Sequence, residues 1–272
     1  MKESREFKHP PNENNLNECK SIWDQIWIRE LKDKSPLFYG FYDEAALLIE
    51  ENFDVSDKTL VLEPGCGSGR LSLVLAQKGA NVVLLDVSEQ ALNLAKELFS
   101  STNTYEKANL VLGDIRYLPF RDGCFDVTFN EGVIEHFIGD ERQIVVNEMA
   151  RVTKRGGKIS VLVPNAWNFP YAIYKKLYEK RHGTWSWGLE VPYTPKELKQ
   201  RFFKAGIKVL RTGGCRLIPI PYHLQCFPAR LVRSLASPVK KVLGRKWLRM
   251  NTGYTVLHRN LAQYLFCVGV RG

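Results

Sequence analysis

No run of 18 apolar residues occurs in the 272-residue chain, so no membrane-spanning helix is expected. The opening Met1-Lys2-Glu3-Ser4-Arg5-Glu6 leads into no apolar stretch. The sequence therefore predicts no signal peptide and a cytoplasmic protein, with peripheral attachment to a membrane left open. Its six cysteines (19, 66, 124, 215, 226 and 267) form no C-x-x-C pair and no ligand spacing with a nearby histidine. Reduced, buried thiols and no metal are expected. Internal repeats are absent, and 44% hydrophobic with 25% charged residues excludes general disorder. Acids are almost missing from one end. Residues 195–272 hold 16 Lys+Arg and a single acid, Glu197, whereas residues 1–194 hold 23 Lys+Arg and 28 acids. The net charge of +10 is thus a C-terminal property and predicts an anionic partner there.

What is present is an alternation of strands and helices. Residues 1–16 read as a polar arm. A helical stripe of Ile22, Trp23, Ile26, Trp27 and Leu31 follows in 19–34, then an aromatic cluster and a helix over 43–52. Strands are predicted at 59–62, 81–85, 108–112, 125–129, 158–163, 207–211 and 262–270. Helices are predicted at 70–78, 88–99, 140–154 and 194–205. Ser88 reads as an N-cap, Thr194 with Glu197 as a capping box, and Gly156-Gly157 as a helix stop. Residues 165–192 show aromatics but no regular period. This order predicts an α/β fold with an open, mostly parallel sheet and helices on both faces.

The strongest motif is Val61-Leu62-Glu63-Pro64-Gly65-Cys66-Gly67-Ser68-Gly69-Arg70. A buried strand feeds a turn with glycine at alternate positions, where backbone must approach a ligand closely. A nicotinamide fingerprint needs glycine at the sixth position, and Arg70 stands there. Further matches follow in order. Asp86 ends the second strand, in Leu84-Leu85-Asp86-Val87. Asp114 follows the third, in Leu112-Gly113-Asp114-Ile115. The fourth ends in Phe129-Asn130-Glu131, followed by Gly132-Val133-Ile134-Glu135-His136, and Arg151 to Gly157 precedes the fifth.

Over residues 57–165 the chain resembles the class I S-adenosylmethionine-dependent methyltransferases, in particular the small-molecule, ubiquinone-biosynthesis-like group. The resemblance implies a Rossmann-like seven-stranded sheet in the order 3-2-1-4-5-7-6, with the last strand antiparallel. It implies S-adenosylmethionine as cofactor and S-adenosylhomocysteine as product. It puts Glu63 beside the methionine ammonium, with Gly65, Cys66, Gly67 and Gly69 in the turn. Asp86 and Val87 fall at the ribose, Asp114 and Ile115 at the adenine, and Asn130 and Glu131 at the methionine pocket. Read without the resemblance, Asp86 is a helix cap, Asp114 a turn residue and Cys66 a small filler.

The methyl of this cofactor is already electrophilic, so alignment matters more than acid–base chemistry. His136 and His182 are the candidate bases, although Glu135-His136 also resembles a common structural pair of the family that packs at a helix start. Tyr39, Tyr42, Trp185 and His223 are candidate acceptor contacts. The N/D-P-P-Y/F run of nucleobase-amine methylation is absent, since Asn130-Glu131-Gly132-Val133 stands there. The acceptor is therefore expected to offer oxygen, carbon or an ordinary amine, on a small molecule or lipid.

Residues 1–56 are read as an arm and helical lid, and 57–272 as the methyltransferase domain. That domain carries an aromatic substrate insertion (165–192) and a basic insertion (216–260). In the latter, Leu231, Val232, Leu235, Val239, Val242 and Leu243 share one helical arc, with Arg and Lys opposite. An anionic membrane surface suits it better than RNA. The rival functions are a methyltransferase-fold binding protein, an RNA methyltransferase and an oxidoreductase.

Overall fold

The structure, a computed structural model, describes residues 20–28, 39–217 and 245–272, without the side chains of 39–41, 247, 248 and 251. The lid begins with α1 (residues 20–28) and α2 (Tyr39–Asn52). Next come β1 (Leu60–Pro64), α3 (Arg70–Gln77), β2 (Asn81–Asp86), α4 (Glu89–Ser101) and β3 (Ala108–Leu112). The second half holds β4 (Phe125–Glu131), α5 (Glu141–Val152), β5 (Thr153–Pro164), α6 (Phe169–His182), α7 (Pro195–Lys204) and β6 (Ile207–Cys215). It closes with α8 (Arg245–Asn251), α9 (Val256–Leu261) and β7 (Tyr264–Arg271).

The seven strands form one sheet in the order β3-β2-β1-β4-β5-β7-β6, with β7 antiparallel to both neighbours, as expected. Central strands have apolar middles, Val61-Leu62 in β1, Val82 to Leu85 in β2 and Val161 to Val163 in β5, because helices cover both faces. On one face Leu48, Leu71, Leu75, Phe99, Phe129 and Phe266 pack together. On the other, Val145, Val146, Met149, Leu198 and Phe202 do so. Truncating a fully buried ring such as Phe129 to alanine costs about 3–5 kcal/mol.

Several local expectations hold. Ser88 Oγ accepts from the Ala91 amide at 3.2 Å and starts α4. Thr194 Oγ1 accepts from the Glu197 amide at 3.1 Å. The Glu197 carboxylate, however, pairs with Arg142 at 2.8 Å and Arg201 at 3.4 Å, so its capping partner is an ion pair rather than the start of its own helix.

Four expectations are corrected. Gly156-Gly157 does not stop a helix. Thr153 opens β5, and residues 154–157 bulge out between the Phe125–Thr153 and Val127–Lys158 pairs. A Cβ on Gly157 would stand 2.9 Å from two backbone oxygens, so only glycine fits. Residues 165–192 are not irregular: α6 is capped by Asn168, whose side chain accepts from the Tyr171 amide, and ends at Gly183 with φ +81°. The sixth strand runs on to Cys215. Ile22 is exposed, so the inward stripe of α1 is buried Ile26 flanked by half-buried Trp23 and Trp27. Leu31, His223 and the amphipathic arc of 231–243 lie outside the described residues.

Candidate active site

A cleft opens at the carboxyl ends of β1, β2 and β4, where open α/β sheets bind ligands. Its free volume is about 1280 Å³, mouth included. The β1–α3 turn forms its floor. Gly65, Gly67 and Gly69 have φ of +75°, +52° and +69°, open to glycine at no steric cost. The Gly65 and Cys66 amides both donate to the Leu85 carbonyl, at 2.7 and 3.0 Å, which binds the turn to the tip of β2. Gly69 lies at the start of α3, where a Cβ would stand 3.1 Å from Leu84, and does not line the cleft.

Asp86 sits at that tip and lines the cleft together with Val87. Its Oδ2 accepts from the Gly67 amide at 2.8 Å and its Oδ1 from the Ser88 amide at 2.9 Å. Burial pushes its carboxyl up to about 6 against those bonds. Glu63 lies beneath the turn, outside the cleft lining, and accepts from the Ser72 amide at 3.2 Å. Burial raises it to about 8. The Cys66 thiol lines the cleft and is pushed well up by burial, so it stays protonated.

Asp114 and Ile115 line the next stretch. Arg116 grips Asp114, with Nη2 at 2.7 Å and Nε at 3.0 Å from Oδ2, and reaches Glu141 at 2.5 Å through Nη1. This clamp was not foreseen, although an arginine two residues beyond a turn aspartate is a readable signal.

At the tip of β4 the pleat separates the two expected residues. Asn130 turns into the core, its Nδ2 3.3 Å from Met149 Sδ, while Glu131 faces the cleft. Burial raises Glu131 to about 8, opposed by Arg216. Glu135 and His136 follow in a short 3-10 turn (Ile134–His136) and both line the cleft. His136 donates its Nδ1 hydrogen to the Leu189 carbonyl at 2.5 Å and meets the Trp23 ring edge-on at 4.8 Å. Burial lowers it to about 4, so it is neutral at physiological pH.

The lid and the α6–α7 connection complete the wall with Trp23, Trp27, Tyr42, Trp187 and Glu190, and β7 adds Tyr264. Trp185 is not on the wall. It is buried behind it, and its Nε1 donates to Glu190 at 3.0 Å. His182 is exposed at the end of α6, stacked on Tyr178. Tyr39 begins α2, and its side chain lies outside the described residues. Glu190 and Tyr264 were missed because their signal is tertiary: Tyr264 reaches the cleft through its antiparallel pairing with Pro164.

The residues present fit the expected cofactor. The turn presents bare backbone, the Asp86 carboxyl stands at the tip of β2, and Glu131 brings a buried carboxyl to the other end of the cleft. Among the described residues, no three His, Cys, Asp or Glu are grouped to hold a metal ion.

Residues 62–161 match a family model described as a methyltransferase domain. An uncharacterised methyltransferase of Synechocystis is 34% identical over 169 residues, covering 60% of this chain and 76% of that protein. Methyltransferase GfsG of Streptomyces halstedii is 34% identical over 41% of this chain and 40% of its own length. The chain spans less than half the length of several such curated relatives. A solved S-adenosylmethionine-dependent methyltransferase of Thermotoga maritima, a possible histamine N-methyltransferase, aligns with TM-score 0.64 at 17% identity, covering 93% of this chain and 99% of that one. At that identity the likeness concerns the fold. With the sheet order and the glycine turn in place, the chain belongs to the class I S-adenosylmethionine-dependent methyltransferases.

Proposed function

We propose that the cleft holds S-adenosylmethionine with its adenosine against Asp86, Val87, Asp114 and Ile115. Its charged methionine end then lies by Gly65, Cys66, Gly67 and Glu131, with Glu63 supporting the turn from below. The observation that carries this reading is that one cleft is lined continuously from the glycine turn to Glu131–His136. When bound, S-adenosylmethionine supplies an electrophilic methyl on a positively charged sulfur. The chain's own residues align the acceptor in line with it and exclude water. Trp23, Trp27 and Tyr42 close the cleft from the lid side. His136, with Nδ1–H held on the Leu189 carbonyl and lowered by burial to about 4, is a weak base, so alignment rather than proton removal carries the step.

The test is calorimetry with S-adenosylhomocysteine and NAD. Binding of the first and not the second is expected. Binding of NAD alone overturns the reading. S-adenosylhomocysteine binding without methyl transfer to any phenol, amine, lipid or RNA acceptor favours a binding protein instead.

A second reading concerns place. On α6 the exposed Phe169, Ile173 and Leu177 recur every four residues, and Val256, Leu257 and Leu261 of α9 are also exposed. The two helices are tied by Asn168 Nδ2 donating to the Leu261 carbonyl at 2.7 Å. Lys176, Lys180, Arg181 and Arg259 belong to the same two helices. An apolar stripe with basic neighbours suits an anionic bilayer surface. Flotation with phosphatidylglycerol vesicles, weakened by salt and by Ile173→Asp, is the expected result. Equal binding to phosphatidylcholine, self-association, or RNA binding without vesicle binding rejects it.

A further inference from the structure

Resting on the methyl-transfer reading, we infer that the acceptor side of the cleft is an organic-cation site and that the acceptor is an amine. Four observations carry this.

Glu135 is 2% exposed and lines the cleft, and its Oε2 has no hydrogen-bond donor among the described residues. A buried carboxyl oxygen without a donor is costly unless a ligand brings one. Glu190 lies on the same wall, and both of its oxygens are held. Tyr171 Oη donates to Oε1 at 2.5 Å and Trp185 Nε1 to Oε2 at 3.0 Å. Those donors fix the direction of a negative charge rather than remove it. Aromatic rings of Trp23, Phe137, Trp187 and Tyr264 share the wall, and ring faces attract ammonium groups. The cations nearby are committed, buried Arg216 lying beside Glu131 and Tyr264, whose ionisation it favours. Arg116 is the one Lys or Arg among the described lining residues, and it is bound to both Asp114 and Glu141. Arg142, behind the wall, pairs with Glu197 and lies 3.5 Å over the Tyr193 ring. Lys175 pairs with Glu179.

A phosphate or carboxylate would bring no donor for Glu135 and would meet the Glu190 carboxylate, and a neutral phenol would bring a donor for Glu135 but no charge for Glu190. An alkylammonium supplies the missing donor. The chemistry balances. The bound ammonium gives one proton to the Glu135 carboxylate. The freed nitrogen pair forms the N–C bond as the C–S bond breaks and its pair stays on sulfur. The methylated ammonium leaves, and the first proton is released to water.

Glu135 faces Glu190 from the α6–α7 connection, Glu131 from β4 and Arg142 from α5, with His136 beside it. Burial and the two carboxylates hold its proton on in the empty site. A bound cation reverses that balance, so amine binding releases a proton.

The experiment uses the full chain saturated with S-adenosylhomocysteine and three probes of one shape: tyramine, 4-propylphenol and 3-(4-hydroxyphenyl)propionate. Calorimetry at pH 7.5 is expected to give tyramine at least tenfold tighter than 4-propylphenol, with no propionate binding. The tyramine heat is expected to change with buffer in the sense of proton release. Glu135→Gln and Glu190→Gln are each expected to remove about tenfold of the tyramine preference while leaving S-adenosylhomocysteine affinity within about twofold. Tyramine binding no tighter than 4-propylphenol, or not at all, overturns the inference, as does an unchanged preference in both variants. Failure of S-adenosylhomocysteine to bind would strike the methyl-transfer reading instead.

Discussion

The two walls of the cleft are built in different ways. The wall at β1, β2 and β3 is mostly backbone: glycines at positive φ, two amides on the Leu85 carbonyl, and an Asp86 whose oxygens already accept from Gly67 and Ser88. The wall at β4, β7 and the α6–α7 connection is mostly side chain: Glu131, Glu135, Glu190, Trp187 and Tyr264, with one carboxyl oxygen lacking a donor. On the proposed function the backbone wall holds the cofactor that every reaction of the family shares, and the side-chain wall selects the acceptor, where unmet hydrogen-bonding capacity is information about the ligand.

The contrast can be broken most severely at the turn. A side chain at Gly67 would meet the Trp27 ring at 2.5 Å from a φ of +52°, so Gly67→Leu is expected to abolish S-adenosylhomocysteine binding in calorimetry. Retained affinity would show that the turn is not the binding floor. Asp86→Ala comes next. Loss of a carboxylate that also orders the turn should weaken the same binding roughly 10- to 100-fold.

A pH effect sharpens the comparison further. Glu63 and Glu131, raised to about 8, hold protons in the folded chain that the unfolded chain releases near its ordinary carboxyl range. Stability from these groups is therefore lost as pH rises toward 8. His136, lowered to about 4, acts oppositely between about pH 4 and 6.5, so the clean window is about pH 6.5 to 8. There the melting temperature of the ligand-free protein is expected to fall. A rise would mean the carboxyls are already charged. The smallest effect belongs to His182→Ala. An exposed residue outside the cleft should leave methyl transfer within about twofold, and a collapse of activity would relocate the acceptor site.

Much of the backbone wall was readable in sequence, because its instructions are local. Glycine spacing, Ser88 after Asp86, and an acid at each strand end all lie within a few residues of the structure they specify. The side-chain wall was read less well. Asn130 and Glu131 are neighbours, and only the pleat, set by β1 and β5 on either side, decides which faces the cleft. Helix α6 escaped notice because its Phe169, Ile173 and Leu177 face outward, so the expected core-facing stripe does not exist. Trp185 and Trp187 are two residues apart with equal aromatic character, yet one supports Glu190 from behind and the other lines the cleft.

Helix α1 presses Trp27 onto Gly67 and Trp23 against His136, and Asp24 accepts from Ser88 Oγ at 2.5 Å beside Asp86. Two indoles thus stand over the backbone and imidazole that a ligand would touch. Their emission is a built-in optical gauge of occupancy, one for each wall. Comparing the parent chain with each tryptophan-to-phenylalanine variant would separate these two signals from those of the other four tryptophans, Trp187 of the cleft among them, without a label.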